Sequence, residues 1–361
     1  MAGIQHPAAV GFFVSLIVAA ALVATKRWHA ARTGDSGAGP HKFHDSPTTP
    51  RVGGLALLSG YGAAVAVSAS PARELLLAAG AAAAVGLLGG LAEDLTKRVH
   101  KTVRFVGTSL AGLAFCLLSG HAITRVEIPA VDDALRAAPA IAIALAVLAV
   151  AGTAHAINMI DGFHGLAPGT AVILLAAFRL VSLRAGDESL AMFCLAVIGV
   201  ACGFAALNFP LGALFLGDGG AYFLGVLVAV VAVMVPARNP GVSPWVSLVV
   251  LAYPLTEAAV SVIRKLRAGG SPFDPDRRHL HMLVYERLTR KGLGGRRAAR
   301  LANPATGALL WSNPLLSLGA VALMPLERSY AIAALALLVC FYLACYRRLA
   351  PGSAEARRRP C

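Results

Sequence analysis

Long apolar runs separated by short polar loops set the pattern of this chain. A run must hold roughly 17–25 residues to cross a hydrocarbon core of about 30 Å. Eleven runs are close to that length, at about 7–25, 52–69, 74–92, 103–120, 137–156, 166–183, 189–207, 219–236, 244–263, 305–323 and 329–346. In lipid the backbone must satisfy its own hydrogen bonds, so runs of this kind are helices. Their many Ala and Gly residues allow close approach between helices. The pattern predicts an all-α polytopic membrane protein. The first run lacks a basic leader and ends at Lys26-Arg27, which reads as a retained helix rather than a cleaved signal.

Composition supports this class. The 361 residues are 57% hydrophobic and 14% charged, with a mean hydropathy of +0.71, whereas soluble domains carry roughly a quarter charged residues. The net charge of +14 would suit nucleic acid, but the basic residues lie in a few short loops, so no nucleic-acid partner is expected. Five of the six cysteines fall in predicted helices and the sixth is terminal, which indicates neither a disulfide framework nor a zinc site.

Charge then sets orientation. Numbering the loops one to ten, loops one, three and nine and the tail after the last span hold most of the 32 Lys and Arg. The positive-inside rule places the odd loops and the C-terminus in the cytoplasm. It also explains most of the basic clusters as topology signals and headgroup contacts.

The remaining polar residues gather in the odd loops. Loop one carries Asp35, Lys42, His44 and the run Pro47 to Gly54; loop three opens with Glu93-Asp94. Loop five reads Asn158-Met159-Ile160-Asp161-Gly162-Phe163-His164-Gly165, and loop seven ends in Gly217-Asp218-Gly219-Gly220. Loop nine contains Asp274, Asp276, Arg277, Arg278, His279 and His281. The acids of the even loops, such as Asp132, Asp133, Asp187 and Glu188, come with no Gly-rich turn and no His pair. One-sided gathering predicts a single site built from five loops.

Such a site suits phosphate chemistry. Asp94, Asp161 and Asp218, acids with few basic neighbours, suit a hard cation, and magnesium binds through one or two carboxylates plus substrate phosphates. Asp218 starts a helix beside the N–H groups of Gly219 and Gly220, where the helix terminus favours negative charge. Lys42, Arg277, Arg278 and the two histidines suit diphosphate oxygens as charge shifts to a leaving group. Glu93 and Asp94 diverge by about 100° on a helix, so one is expected in the site and one in support, with Asp94 the better placed. Glu257, three residues after Pro254, is a carboxylate within a predicted span. It is either functional or a partner to a neighbouring helix, and Pro254 should bend that helix. Taken singly, each signal has a structural reading: Asp218 as an N-cap, His279 and His281 as an extended stretch, Asn158 and Asp161 as turn caps.

At these residues the sequence resembles the polyprenyl-phosphate N-acetylhexosamine-1-phosphate transferases, over roughly 35–285 and in family order. It is closer to the eleven-helix branch that starts O-antigen synthesis than to the ten-helix phospho-MurNAc-pentapeptide translocase. The resemblance implies transfer of a sugar-1-phosphate from a UDP-sugar to undecaprenyl phosphate, with release of UMP, at the cytoplasmic face of a bacterial inner membrane. It implies Mg²⁺, with Mn²⁺ able to substitute, and a homodimer as the candidate assembly. Asp35, Lys42, His44 and Pro50-Arg51-x-Gly53-Gly54 match a motif whose basic residues lie near phosphates. Glu93-Asp94 matches an Asp pair linked to the acceptor phosphate; Asn158 and Asp161 match a nucleotide-proximal motif. Asp218 matches the acid tied to magnesium, and His279 and His281 match a His-x-His that helps bind the donor. Pro254 and Glu257 lie on what corresponds to a bent helix beside the lipid groove. Two positions depart: Glu93 replaces the usual first Asp, and His164 replaces a second Asp, a poor exchange for magnesium that points to contact with the donor's sugar or phosphate.

The expected reaction has Asp94 orient or deprotonate the lipid phosphate, which attacks the β-phosphate of the UDP-sugar; a two-step route through a phospho-aspartyl enzyme is the variant. Residues 1–349 are expected to form one integral transferase domain and 350–361 a disordered basic tail. The rival is a transporter or lipid flippase, which would place its site near the midplane on broken helices and show internal repeats; no repeat is evident between the halves.

Overall fold

The computed structural model describes residues 6–34, 49–271, 278–290 and 296–350. Among them the secondary structure is helical, apart from one isolated bridge between Gly34 and Pro50. In chain order the helices are α1 (Pro7–Ala24), α2 (Lys26–Thr33), α3 (Gly53–Val67), α4 (Ala72–Thr96), α5 (Lys101–Ser119), α6 (Pro129–Ala137), α7 (Pro139–Met159) and α8 (Leu166–Arg184). They continue with α9 (Glu188–Asn208), α10 (Gly217–Arg238), α11 (Pro244–Val250), α12 (Ala252–Arg267), α13 (Leu280–Arg290), α14 (Arg296–Leu310), α15 (Ser312–Leu323) and α16 (Arg328–Leu349).

Nine helical stretches among the described residues are long and apolar enough to cross a membrane, the pair α11 and α12 adds a bent tenth, and α3 is a shorter apolar helix. These fall on the eleven apolar runs. The expected ninth span is not one straight helix. It breaks between Val250 and Ala252 with a bend of 77°. Pro254 offers no N–H to the carbonyl four residues back, and its ring crowds that carbonyl, so the helix parts at Val250. The tenth run is likewise divided near Trp311, into α14 and α15. Three short helices with polar faces, α2, α6 and α13, lie in loops that hydropathy alone does not register.

The bundle is organised around α10, which is buried from Gly217 to Val235. Small residues let its neighbours approach: a Cβ on Gly90 of α4 would lie 2.4 Å from the Gly219 nitrogen, and one on Gly225 would lie 2.7 Å from Ala154 of α7. Without a hydrophobic drive between helices in lipid, such close packing is a main source of association. An apolar cavity of about 670 Å³ runs between α7, α10 and the bent pair, lined by residues including Leu145, Leu148, Trp245, Leu248, Leu251 and Leu255.

Candidate active site at the start of α10

Backbone pairing brings loops one and seven together. The Phe215 N–H donates to the Pro50 carbonyl, and Gly53 and Gly54 donate to the carbonyls of Phe215 and Leu216. Glycine is needed here, since a Cβ on Gly54 would meet the Gly220 nitrogen at 2.7 Å. Gly217 has φ +72°, a left-handed conformation that glycine adopts freely. It also abuts Arg51 and the Asp94 carboxylate. The Pro50-Arg51-x-Gly53-Gly54 motif therefore sets Arg51 against the first turn of α10.

Asp218 is the hub. Its Oδ1 lies 3.3 Å from Arg51 Nη2 and 3.3 Å from Asn158 Nδ2, and its Oδ2 accepts from Arg104 Nη1. Asp94, 1% exposed, accepts from the Asp218 and Gly219 N–H groups, each at 2.9 Å. Arg51 lies 3.7 Å from the same carboxylate. Loops one, three, five and seven thus meet within one polar cluster.

Two expectations change. The Gly219 N–H does not face an incoming anion, because the Asp94 carboxylate takes it; the negative charge favoured at this helix terminus is a side chain of α4. Nor is Asp218 short of basic neighbours. Arg104, grouped by sequence with the topology charges of loop three, sits on the first turn of α5 and turns toward α10. Its distance from Asp218 in sequence hides it, and no local signal sets it apart from Lys97, Arg98 and Lys101.

Glu93 and Asp94 do diverge. The Glu93 side chain accepts from the Val99 N–H at 2.8 Å and holds the turn after α4. Lys97 donates to the Asp94 carbonyl at 2.6 Å. Burial and the neighbouring Arg51 push its ammonium below the usual lysine value.

Asp161 sits in the turn between α7 and α8, half-buried by surface yet closely surrounded by protein atoms. That desolvation, opposed by Arg51 and reinforced by Asp218 and Asp94, pushes its carboxyl up to about 7. His164 in the same turn faces elsewhere: its N–H donates to Asn303, its Nδ1 lies 3.1 Å from the Pro210 carbonyl, and its ring lies beside Phe215. The turn is held from both sides, by Asn208 accepting from the Gly165 N–H and by Trp311 donating to the Gly165 carbonyl.

Loop nine arrives through His281, whose Nε2 would lie 3.2 Å from a Cβ on Gly162 and whose ring meets Phe163 edge-on. His279 stacks on His281 at 5.2 Å, with the rings within 9° of parallel. The Arg278 carbonyl is anchored by Arg264 and Tyr346. Lys42, His44 and Arg277, with Asp35, Asp274 and Asp276, lie outside the described residues.

Among the described residues, no group of three or more His, Cys, Asp or Glu side chains is gathered as metal ligands. The donor set at α10 still fits Mg²⁺, which needs only one or two carboxylates when phosphates complete its shell. Asp218, with the Asn158 amide 3.3 Å from it, is the carboxylate such an ion would draw on.

These features define a polytopic membrane protein, helical through its described residues apart from one isolated bridge, with a cluster of charged side chains at one end of its bundle. Residues 76–236 match glycosyl transferase family 4. It is 32% identical over 207 residues to the undecaprenyl-phosphate alpha-N-acetylglucosaminyl 1-phosphate transferase of Escherichia coli K12, covering 55% of this chain and 52% of that protein. It is 34% identical over 172 residues to the enzyme of that name from Salmonella typhi, covering 46% and 45%. With a probable undecaprenyl-phosphate N-acetylglucosaminyl 1-phosphate transferase of Bacillus subtilis it shares 28% over 242 residues, 66% of each chain. The alignments span about half the length of the first two of these curated relatives and nearly two thirds of the third.

Proposed function

We propose that this protein transfers a sugar-1-phosphate, N-acetylglucosamine-1-phosphate in the first instance, from a UDP-sugar to undecaprenyl phosphate and releases UMP. The observation that carries this reading is the meeting of Arg51, Asp94, Arg104, Asn158 and Asp218, from four loops, at the first turn of the most buried helix, with Asp161 beside them. The positive-inside pattern puts this end at the cytoplasm of a bacterial inner membrane, where UDP-sugars are found.

An acceptor phosphate oxygen attacks the donor's β-phosphorus, and the bond from that phosphorus to the bridging oxygen of UMP breaks. Arg51 and Arg104 hold phosphate oxygens and offset charge as it moves to the leaving group. Asp161, with its carboxyl near 7, takes the proton of a monoanionic acceptor phosphate at a carboxylate oxygen. Asp94 was expected to do this, but it is buried with both oxygens bonded to backbone N–H groups, so its part is to hold the Asp218 turn in place. Magnesium, or manganese in its stead, would be held by Asp218 with Asn158, and supplies positive charge to the diphosphate when bound. Lys42 and His44 are assigned to phosphates by family resemblance and Arg277 by its charge, whereas His164, turned toward Asn303 and Pro210, is left without a part in donor binding. The apolar cavity between α7, α10 and the bent pair suits an isoprenoid chain.

The test is product formation by purified protein from UDP-N-acetylglucosamine and undecaprenyl phosphate, with and without Mg²⁺. A lipid-linked sugar diphosphate formed only with the metal supports the proposal. Lipid movement between leaflets with no such product would favour the transporter reading.

A further inference from the structure

Glu257 is 1% exposed in α12 and lies outside the cluster around Asp218. A buried carboxylate is costly unless its oxygens are bonded. Its Oε1 is 3.0 Å from His279 Nδ1, and both oxygens face the Leu280 N–H, at 3.2 and 3.3 Å. Leu280 is the first residue of α13, so Glu257 also places negative charge at that helix's N-terminus. Tyr253 and Tyr342, buried and with rings 6.4 Å apart, flank the carboxylate, and His281 adds to its electrostatic surroundings.

This arrangement dictates the state of His279. A carboxylate accepts only from a protonated nitrogen, so Nδ1 carries a proton and Nε2 is the nitrogen left for a ligand. Stacking on His281 fixes the plane of the ring, and His281 abuts Gly162, one residue from Asp161. His281 therefore meets the turn that carries Asn158 and Asp161, and His279 lies one ring behind it.

We propose that Glu257 is a positioning residue of the transfer site: it fixes the tautomer and orientation of His279 so that Nε2 is presented to the nucleotide-sugar donor. This rests on the transferase reading above and adds a named partner for the donor. The same carboxylate ties α12, beyond its bend, to the start of α13.

Steady-state kinetics of the full-length protein test it, using UDP-N-acetylglucosamine and undecaprenyl phosphate with Glu257→Gln, Glu257→Asp, His279→Gln and the Glu257→Gln/His279→Gln double variant. Outer partners of metal-bound histidines are worth about 10–100-fold; at the low end of that range, Glu257→Gln should raise KM for the UDP-sugar about tenfold, with a smaller change in kcat and none in KM for the lipid. Glu257→Asp should recover part of that loss, and the double variant should be no worse than His279→Gln alone. A thermal melt on each variant separates misfolding from mispositioning. An unchanged donor KM in a folded Glu257→Gln protein, or additive losses in the double variant, would overturn the assignment while leaving the transferase reading intact. A wild type that releases no UMP would remove both.

Discussion

The two ends of the bundle use similar residues in opposite ways. At the even-loop end, charged groups satisfy one another and the backbone. Arg238 binds Asp187 through two nitrogens, at 2.7 and 3.0 Å, and Asp187 also caps α9 through the Leu190 N–H. Arg125 reaches Glu127 and the carbonyls of Pro240 and Val242. Arg184 reaches the carbonyls of Val321 and Met324. These contacts lace loops four, six, eight and ten together. At the odd-loop end, Asp94, Asp161 and Asp218 crowd together near Arg51 and Arg104, and burial lifts Asp161 instead of being offset. Charge that closes a fold is locally paired; charge kept for a ligand is concentrated and left under electrostatic tension.

The largest effect that would break this comparison is at Asp94. Asp94→Asn turns one oxygen into a donor facing N–H groups, which displaces the Asp218 turn. UMP release should fall by about 10²–10³-fold, the usual loss when transition-state electrostatics are disturbed. A rate near wild type would mean that the α10 turn is not the site. Next comes Gly90→Ala, whose methyl would meet the Gly219 backbone. Overpacking of this kind costs about 1–3 kcal/mol, and activity and thermal stability should fall together.

Arg238→Ala tests the opposite end. Burial alone would raise the Asp187 carboxyl, but Arg238 holds it below its usual value. A carboxyl lowered in the folded state adds stability above its unfolded value, near 4, and that stability is lost as pH falls further. The variant should melt lower than wild type at pH 7, with the gap closing below about pH 4. Its activity per folded molecule should not change.

Asp161→Asn should give the smallest shift in stability, with the reverse sign. A carboxyl raised to about 7 destabilises the fold as pH rises through the interval between its unfolded and folded values. Replacing it should raise the melting temperature of metal-free protein by a few degrees at pH 8 while transfer is lost. The gain should vanish below about pH 4, where the acid is protonated in both states. A variant less stable at pH 8 would show that Asp161 is a structural partner instead.

Much of this division was legible in the sequence. Run length predicts the helices, and the one-sided gathering of Asp94, Asn158, Asp161 and Asp218 anticipates their proximity. The break at Val250 follows from Pro254, although its size does not. What sequence conceals is geometry across the bundle. Arg104 is chemically indistinguishable from the topology charges around it until α5 is packed beside α10. The capping of α10 by Asp94 depends on Gly90 allowing contact between two backbones. Glu257 reads as an isolated intramembrane acid because its partner, His279, lies 22 residues further along.

The most direct test of the account compares UMP release by wild type, Asp218→Asn and Arg238→Ala in one assay with UDP-N-acetylglucosamine, undecaprenyl phosphate and Mg²⁺. The account predicts metal-dependent UMP from wild type and from folded Arg238→Ala, and almost none from a folded Asp218→Asn. Equal UMP release from Asp218→Asn and wild type would contradict it.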